Sequence, residues 1–370
     1  MNIYIPLGVI LALLCFFVRK NSKNADYMFF FSMLAILAFC ALRYQFGPDY
    51  DAYWAMYNGL QGEISAENYS GTGSSAELGF LIYIKMFPSF TAFIVTNAIL
   101  WVLANYLVIR KYVSSHAYWI VILYMFFNTT YLKQSTVAMR SAMVSFIFIF
   151  AFWLLIRGRL KDKILFVALI LLAGQFHTTG LVLVLFAFLT PNNNSILFNK
   201  YFLIAFSLMG LVSFFLGNSL LQVLSVSIMD NVDAFERYAD DEVAVGEAGF
   251  SFNTLLFTLM SIAIAFYLAW AGRKEQNREY IYIYKIALIA ALVQVVFRQG
   301  MINDRYFMCF NPFYITALIH SLKTKQRDYG VIIMIFVSVI SLYIFNSKLN
   351  RGYNRYFETY HTIFEAPRIP

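Results

Sequence analysis

An arginine and two acids lie close together after the second apolar run of the chain. Arg43 is followed by the stretch FGPDYDAY at 46–53, in which a Gly-Pro pair breaks a helix just before Asp49 and Asp51. A carboxylate beside an arginine suits proton transfer on a bound polar substrate. The alternative is a capped helix start, in which Asp49 or Asp51 accepts hydrogen bonds from the first free amides and pairs with Arg43.

Arg140 and His177 are isolated polar groups at the ends of other apolar runs. His177, in GQFHTTG, separates two short runs, and histidine is the usual general base near neutral pH. Its alternative role is that of a hydrogen-bonded core residue. Arg140, in MRSAM, opens an apolar run, and its alternative is a side chain that snorkels to lipid headgroups.

Further arginines indicate an anionic ligand. Arg298 and Arg305 bracket the predicted turn RQGMINDRY at 298–306, and Arg237 lies in ERYADDE. A guanidinium donates two parallel hydrogen bonds to a phosphate and does not deprotonate. We therefore predict that Arg140, Arg298 and Arg305 converge on one dianion, whose charge relieves their mutual repulsion. The alternative is a local ion pair between these arginines and Asp304, the acid within the turn.

Tyr50 and Tyr53 flank the two acids and could stack on a sugar ring, although anchoring at the membrane interface is the stronger explanation. The Asp49 and Asp51 carboxylates could hold a divalent cation, but two acids alone are a weak signal. The three cysteines lie inside apolar runs without metal-ligand spacing. We expect neither a metal nor a cofactor.

These residues must be positioned by membrane-spanning helices. The chain of 370 residues is 61% hydrophobic and 13% charged, with a mean hydropathy of +0.65, which is too apolar for a soluble protein. Its apolar runs are continuous, which excludes a β-barrel, and they predict one all-α domain over 1–370, a polytopic helical bundle of about 12 spans. The runs are 3–18, 27–42, 89–109, 117–133, 137–156, 164–176, 179–190, 201–217, 251–270, 281–297, 306–321 and 329–346.

Loop charge predicts the orientation of the bundle. The short connections on one side hold 16 of the 28 Lys and Arg, and the other side is richer in acids. The positive-inside rule makes the basic side cytoplasmic and places both termini outside. The predicted cytoplasmic segments are 19–26, 110–116, 157–163, 191–200, 271–280 and 322–328.

Two long segments then lie outside, 43–88 and 218–250. The second has apolar residues at helical spacing, which predicts an amphipathic helix on the outer membrane surface. The runs 164–176 and 179–190 are short for full spans, so a broken or re-entrant pair is expected around His177.

The order of these motifs resembles the EpsG family of Wzy-like polysaccharide polymerases. The similarity runs through nearly the whole chain, from Arg43 with FGPDYDAY through MRSAM, GQFHTTGLVLV and ERYADDE to NDRYF. It implies a GT-C-like fold that often places an acid in the first outer loop. It also implies a multi-pass enzyme of the bacterial cytoplasmic membrane that joins polyprenyl-diphosphate-linked oligosaccharides at the outer face, without metal or nucleotide.

Taken together, the resemblance and the residues imply roles for the site. The candidate bases are His177, then Asp51, then Asp49, and the substrate-binding candidates are Arg43, Arg140, Arg237, Arg298, Arg305, Tyr50 and Tyr53. The implied partners are lipid-linked oligosaccharides, membrane lipid and a chain-length regulator, with no nucleic acid.

Other functions share parts of this pattern. An O-antigen ligase or a glycosyltransferase that uses polyprenyl-phosphate sugars would differ mainly in its substrates, and a lipid-linked oligosaccharide flippase would need its arginines in a central cavity. The sequence leaves open the sugars, the linkage, the polymer length and the oligomeric state.

Overall fold

The computed structural model describes residues 4–45, 49–59, 77–127, 138–215, 252–297, 301–321, 361–362 and 364. Within these residues the chain is mostly helical. The α-helices are α1 Tyr4–Val18, α2 Ser22–Ala41, α3 Tyr50–Asn58, α4 Leu78–Lys85, α5 Phe90–Tyr112, α6 Tyr118–Phe127, α7 Met139–Arg157, α8 Leu160–Gly174, α9 Lys200–Phe215, α10 Phe252–Lys274, α11 Arg278–Phe297 and α12 Met301–Ser321.

Three 3₁₀ helices and two short strands complete the described elements. The 3₁₀ helices are Ser115–Ala117, Thr178–Phe188 and Ile196–Phe198, and the strands are β1 Arg43–Tyr44 and β2 His361–Thr362. The strands pair antiparallel, with Arg43 opposite Thr362. The pairing therefore brings the C-terminal segment to the start of the predicted first outer loop.

Local sequence explains where several helices begin and end. The Asn21 side chain accepts a hydrogen bond from the amide of Asn24 at 3.1 Å, and Ser89 does the same for Ala92 at 3.1 Å. Gly59 ends α3 with φ of 80°, and Gly158 ends α7 with φ of 67°, in the left-handed region that favours glycine.

The predicted apolar runs correspond to helices wherever the structure describes them. In that part of the chain, three helices have the length and hydropathy of a membrane crossing, namely Ser22–Ala41, Phe90–Tyr112 and Met139–Arg157. These helices indicate a membrane protein. The full number of spans stays a prediction, and both the run 329–346 and the predicted amphipathic helix in 218–250 lie outside the described residues.

The predicted outer turn at 298–306 is too long. Helix α12 begins at Met301, so Arg305 lies in its second turn rather than in a loop. The segment MINDRYF has no glycine or proline to stop it from joining the following apolar run as a helix.

Contacts among the described residues divide the bundle into two ends. At the first, which we call the Glu275 end, Lys111 pairs with Glu279 at 2.9 Å, and Lys285 donates to the carbonyl of Thr190 at 2.6 Å. The Asp26 carboxylate accepts from the Tyr118 hydroxyl at 3.0 Å. These residues belong to, or lie beside, the segments predicted to be cytoplasmic.

The second end, which we call the Glu77 end, joins residues of 43–88 to the start of α7 and to the turn after α8. Helix α5 runs from this end to the other over 23 residues, roughly 34 Å at about 1.5 Å per residue. That distance matches a hydrocarbon core of about 30 Å. The described residues of 43–88 and the described residues Asp26, Lys111 and Glu279 of the basic segments therefore lie at opposite ends of α5.

Candidate functional site

Glu77 is the centre of a polar cluster at the Glu77 end. It lies just before α4, and its carboxylate reaches two other parts of the chain. Oε2 accepts a hydrogen bond from Nη1 of Arg140 at 3.0 Å, and Oε1 accepts one from the backbone amide of Thr178 at 3.0 Å. One carboxylate therefore ties the first predicted outer loop to α7 and to the 3₁₀ helix Thr178–Phe188.

Arg140 is held as one half of a partly buried ion pair. Its side chain is 13% exposed and that of Glu77 is 12% exposed. The sequence did not indicate this carboxylate as a partner of Arg140, and the pair leaves little of either side chain exposed to water. A charge with so little contact with water needs a charged partner, because an isolated buried ion loses its hydration energy.

His177 lies at the break between α8 and the 3₁₀ helix, as its position between two short runs predicts. Its side chain is buried, and Nδ1 accepts a hydrogen bond from the backbone amide of Thr179 at 3.3 Å. The same nitrogen is 3.7 Å from Oε1 of Glu77. Because a backbone amide can only donate, Nδ1 acts as the acceptor, and the proton of the neutral ring then lies on Nε2.

The two predicted acids, Asp49 and Asp51, have different surroundings at the start of α3. Asp49 occupies the N-cap position, although its side chain makes no capping hydrogen bond. It acts electrostatically on Tyr53, which is buried and hydrogen-bonded with Arg140. Burial raises the pKa of the Tyr53 hydroxyl, and the Asp49 carboxylate raises it further, whereas Arg140 opposes the rise. Asp49 and Tyr53 therefore belong to the cluster around Arg140.

Asp51 is on the exposed face of α3, whereas Tyr50 and Tyr53 are on its buried face. Loss of hydration beside the protein surface nevertheless raises the pKa of the Asp51 carboxyl. The ring of Tyr50, the residue before Asp51, packs edge-to-face against the ring of Phe90, with 5.3 Å between the ring centroids. Neither tyrosine presents an open face to a sugar here, and Tyr53 instead contributes its hydroxyl to the Arg140 cluster.

Arg43 is 1% exposed and lies on β1, opposite Thr362 on β2. Burial raises the pKa of the Tyr50 hydroxyl to about 12, and the positive charge of Arg43 opposes that rise. Arg43 is therefore a buried cation at the start of the predicted first outer loop rather than a side chain at the surface.

An apolar floor supports the cluster and is separate from the main core. It is made of aromatic and aliphatic residues from α3, α4 and the first turns of α5 and α7: Tyr50, Tyr53, Phe80, Ile84, Phe90, Phe93, Ile94 and Met139. The amide of Phe80 also donates to the carbonyl of Gln175 at 3.1 Å. Gly79 permits this contact, because a Cβ there would lie 2.7 Å from that carbonyl oxygen.

The structure brings together some of the predicted site residues. Arg140, His177, Asp49 and Tyr53 lie in or beside the cluster, with Arg43 and Tyr50 on the adjoining strand and helix. Arg237 and Arg298 lie outside the described residues, and for Arg305 the structure describes the backbone of α12 alone. The predicted convergence of Arg140 with Arg298 and Arg305 therefore stays a prediction.

Glu77 was missed from the sequence. It stands alone at the end of a polar stretch, without the neighbouring base and acids that drew attention to 43–53. A usable signal was its position at the predicted outer boundary, directly before the apolar segment LGFLIYI, because an acid there can pair with a cation at the same depth. No group of three or more potential metal-ligating side chains gathers within the described ranges.

The EpsG family matches residues 26–361, which include every residue of the cluster. The chain belongs to the EpsG family. No curated protein and no solved structure matches it. EpsG membership and the apolar helices together indicate a membrane protein of the polysaccharide polymerase type.

Proposed function

We propose that this EpsG-family protein is a glycosyltransferase that polymerises polyprenyl-diphosphate-linked oligosaccharide repeat units at the outer face of the bacterial cytoplasmic membrane. The observation that carries the proposal is the cluster of Glu77, Arg140 and His177, which three separate segments build at the end opposite the basic loops. Ionisable groups held at membrane depth mark functional sites, because burying them is costly.

The proposed reaction joins two lipid-linked glycans. A hydroxyl of the incoming unit attacks the anomeric carbon of the growing chain and forms a new C–O bond. The bond between that carbon and the diphosphate oxygen breaks, and the polyprenyl diphosphate leaves with the electron pair. The activated donor supplies the free energy, and one displacement of this kind inverts the configuration at the anomeric carbon.

Two tasks fall to the protein in this reaction. Negative charge grows on the departing diphosphate, and prearranged cations aimed at it are usually the largest catalytic contribution. Arg140 is the described candidate for that task, with Arg298 and Arg305 as its proposed companions. The attacking hydroxyl must also lose a proton, and His177 and Asp49 are the candidates that lie in or beside the cluster.

Reconstitution tests the proposed function. Purified protein in liposomes, supplied with the lipid-linked repeat unit of its host, should produce a ladder of lengthening lipid-linked glycans on a gel. A strain that lacks the gene should retain single repeat units and lose the ladder. If that strain instead accumulates long polymer that is still attached to its lipid carrier, the protein is a ligase. An unchanged ladder in that strain would exclude both activities.

A further inference from the structure

Glu77 makes more contacts than the single ion pair with Arg140. Its two carboxylate oxygens have separate partners, since Oε2 accepts from Arg140 while Oε1 accepts from Thr178 and lies 3.7 Å from Nδ1 of His177. A single side chain thus fixes both the candidate anion-binding residue and the turn that carries the candidate base.

The hydrogen bond at Nδ1 limits what His177 can do at rest. When Nδ1 accepts a hydrogen bond from the Thr179 amide, the proton of the neutral ring lies on Nε2. Nε2 can then donate a hydrogen bond but cannot accept a proton. To take a proton at Nε2, the ring must first carry its existing proton on Nδ1. Two oxygens that could accept that proton lie beside Nδ1, the Thr179 hydroxyl at 3.3 Å and Glu77 Oε1 at 3.7 Å. Of the two, Glu77 carries the negative charge that stabilises a proton there, and a small rotation of the ring would close the 3.7 Å gap.

We propose that Glu77 is the positioning residue of this site, which orients Arg140 and stabilises the Nδ1-protonated form of His177 that can act as a base. The proposal rests on the proposed glycosyl transfer. In the working form, Nδ1–H donates to Glu77, Nε2 accepts the proton of the attacking hydroxyl, and the carboxylate stabilises the imidazolium that results. Glu77 itself gains no proton.

The charged groups that the structure describes around His177 are Glu77, Arg140 and Asp49. Arg140 on α7 pairs with the other oxygen of the Glu77 carboxylate, and Asp49 of α3 acts on Tyr53 beside Arg140. The part of α8 that leads into the turn, 164–174, has no titratable side chain. Of these described groups, Glu77 is the negative charge beside His177 on which the proposed pH effect depends.

The Glu77→Gln variant tests the proposal in the reconstituted polymerase. Glutamine can still accept from the Thr178 amide, but it has no charge for Arg140 or for a protonated His177. Turnover should fall by about tenfold to a hundredfold, because the reacting groups lose their alignment. The acid limb of the pH–activity profile should also move to lower pH, because the imidazolium form loses its neighbouring carboxylate.

A residue that is merely structural would behave differently. The folded fraction would then fall while the turnover per folded molecule and its pH profile stayed at the wild-type values, and this result would overturn the proposal. If Glu77→Gln does not accumulate, Glu77→Asp decides. Aspartate keeps the charge but reaches less far, so lower turnover with an unchanged acid limb supports a positioning role, and wild-type turnover contradicts it.

The chain contains a matched control. Glu275, at the opposite end, also accepts from backbone amides, those of Gln276 and Asn277, and its Oε2 lies 3.5 Å from Nδ1 of His320. Glu275→Gln is the same chemical change in a similar pair and should leave turnover and the pH profile unchanged. A ladder absent from wild-type liposomes would contradict the proposed function itself, whereas a wild-type ladder with a normal Glu77→Gln enzyme contradicts the positioning role alone.

Discussion

Arg140 illustrates how a charge is stabilised at the end of an apolar helix. Its guanidinium contacts the Glu77 carboxylate and the Tyr53 hydroxyl, so its position is determined from α4 and from α3 at once. A planar group with donors in fixed directions can serve two partners and still keep its charge. Lysine would carry the same charge on a single tetrahedral nitrogen.

Arg140→Lys should therefore lower polymerisation strongly, by about tenfold or more, with normal amounts of protein in the membrane. The retained charge still compensates Glu77, so folding is preserved, while the fork geometry is lost. The measurement is turnover per folded molecule, with protein quantified by size-exclusion chromatography. Arg157→Lys, at the other end of α7, is the control. Equal turnover of Arg140→Lys and wild type would remove Arg140 from the site.

The two acids of α3 should differ in their importance. Asp49→Asn removes a charge that acts on Tyr53 beside Arg140, whereas Asp51→Asn changes an exposed side chain on the other face. We expect a marked loss of turnover for Asp49→Asn and near-normal turnover for Asp51→Asn. The pair forms its own control, and the reverse order would place the catalytic acid on the exposed face of α3.

Asp51 should instead affect stability. Its pKa is raised in the folded protein, so the ionised carboxylate is less favourable there than in the unfolded chain. Asp51→Asn should slightly increase thermal stability at neutral pH. That gain should disappear as the pH falls through the folded-state pKa of Asp51, where the native residue becomes neutral as well. Melting temperatures across the acid range, compared with those of wild type, check this expectation.

At the scale of elements, the site depends on a close contact between two backbones. Helix α4 meets the turn after α8 where the Phe80 amide donates to the Gln175 carbonyl, and Gly79 leaves the space for it. The contact places Glu77 within reach of Thr178 and His177. An apolar pattern predicts each helix separately, but it does not show which two turns touch.

Gly79→Ala should break this arrangement. In an ordinary helix, replacing glycine by alanine stabilises by about 0.5–1 kcal/mol. Here the new methyl would lie 2.7 Å from a carbonyl oxygen, so α4 must move, at a cost of roughly 1–3 kcal/mol. Turnover and melting temperature should both fall. Gly174→Ala is the comparison, since its methyl would meet the end of the flexible Leu181 side chain and should be tolerated better.

Across the whole molecule, some structural features follow from the sequence and others do not, and each case has a physical reason. Apolar runs near membrane length predict helices, because a buried backbone must satisfy its own hydrogen bonds. His177 was found because polar residues interrupt an apolar run. Glu77 was not, because its pairing with Arg140 joins residues 63 positions apart, and no local pattern records such a contact. Asp49 and Asp51 lie in different environments because α3 begins at Tyr50, directly after Asp49. The Gly-Pro pair indicates that a helix begins nearby, but it does not show which side chains lie on the buried face of that helix.

The orientation of the bundle is the prediction on which the site's location depends. Basic loops place the Glu275 end in the cytoplasm and the Glu77 end outside. The native cysteines Cys15, Cys40 and Cys309 are 1–3% exposed and should react little, which leaves a silent background for labelling. Asn58, at the end of α3, and Lys161, at the start of α8, are both exposed and lie at opposite ends of the bundle.

Cysteines introduced singly at these two positions should therefore report opposite faces. In intact cells without an outer membrane barrier, a membrane-impermeant maleimide should modify Asn58→Cys and leave Lys161→Cys unmodified. Lys161→Cys should react once the membrane is made permeable, because its side chain is exposed to water on the cytoplasmic side. Modification of Lys161→Cys in intact cells, with Asn58→Cys protected, would invert the bundle. The Glu77 cluster would then face the cytoplasm, and glycosyl transfer by this cluster at the outer face would no longer be tenable.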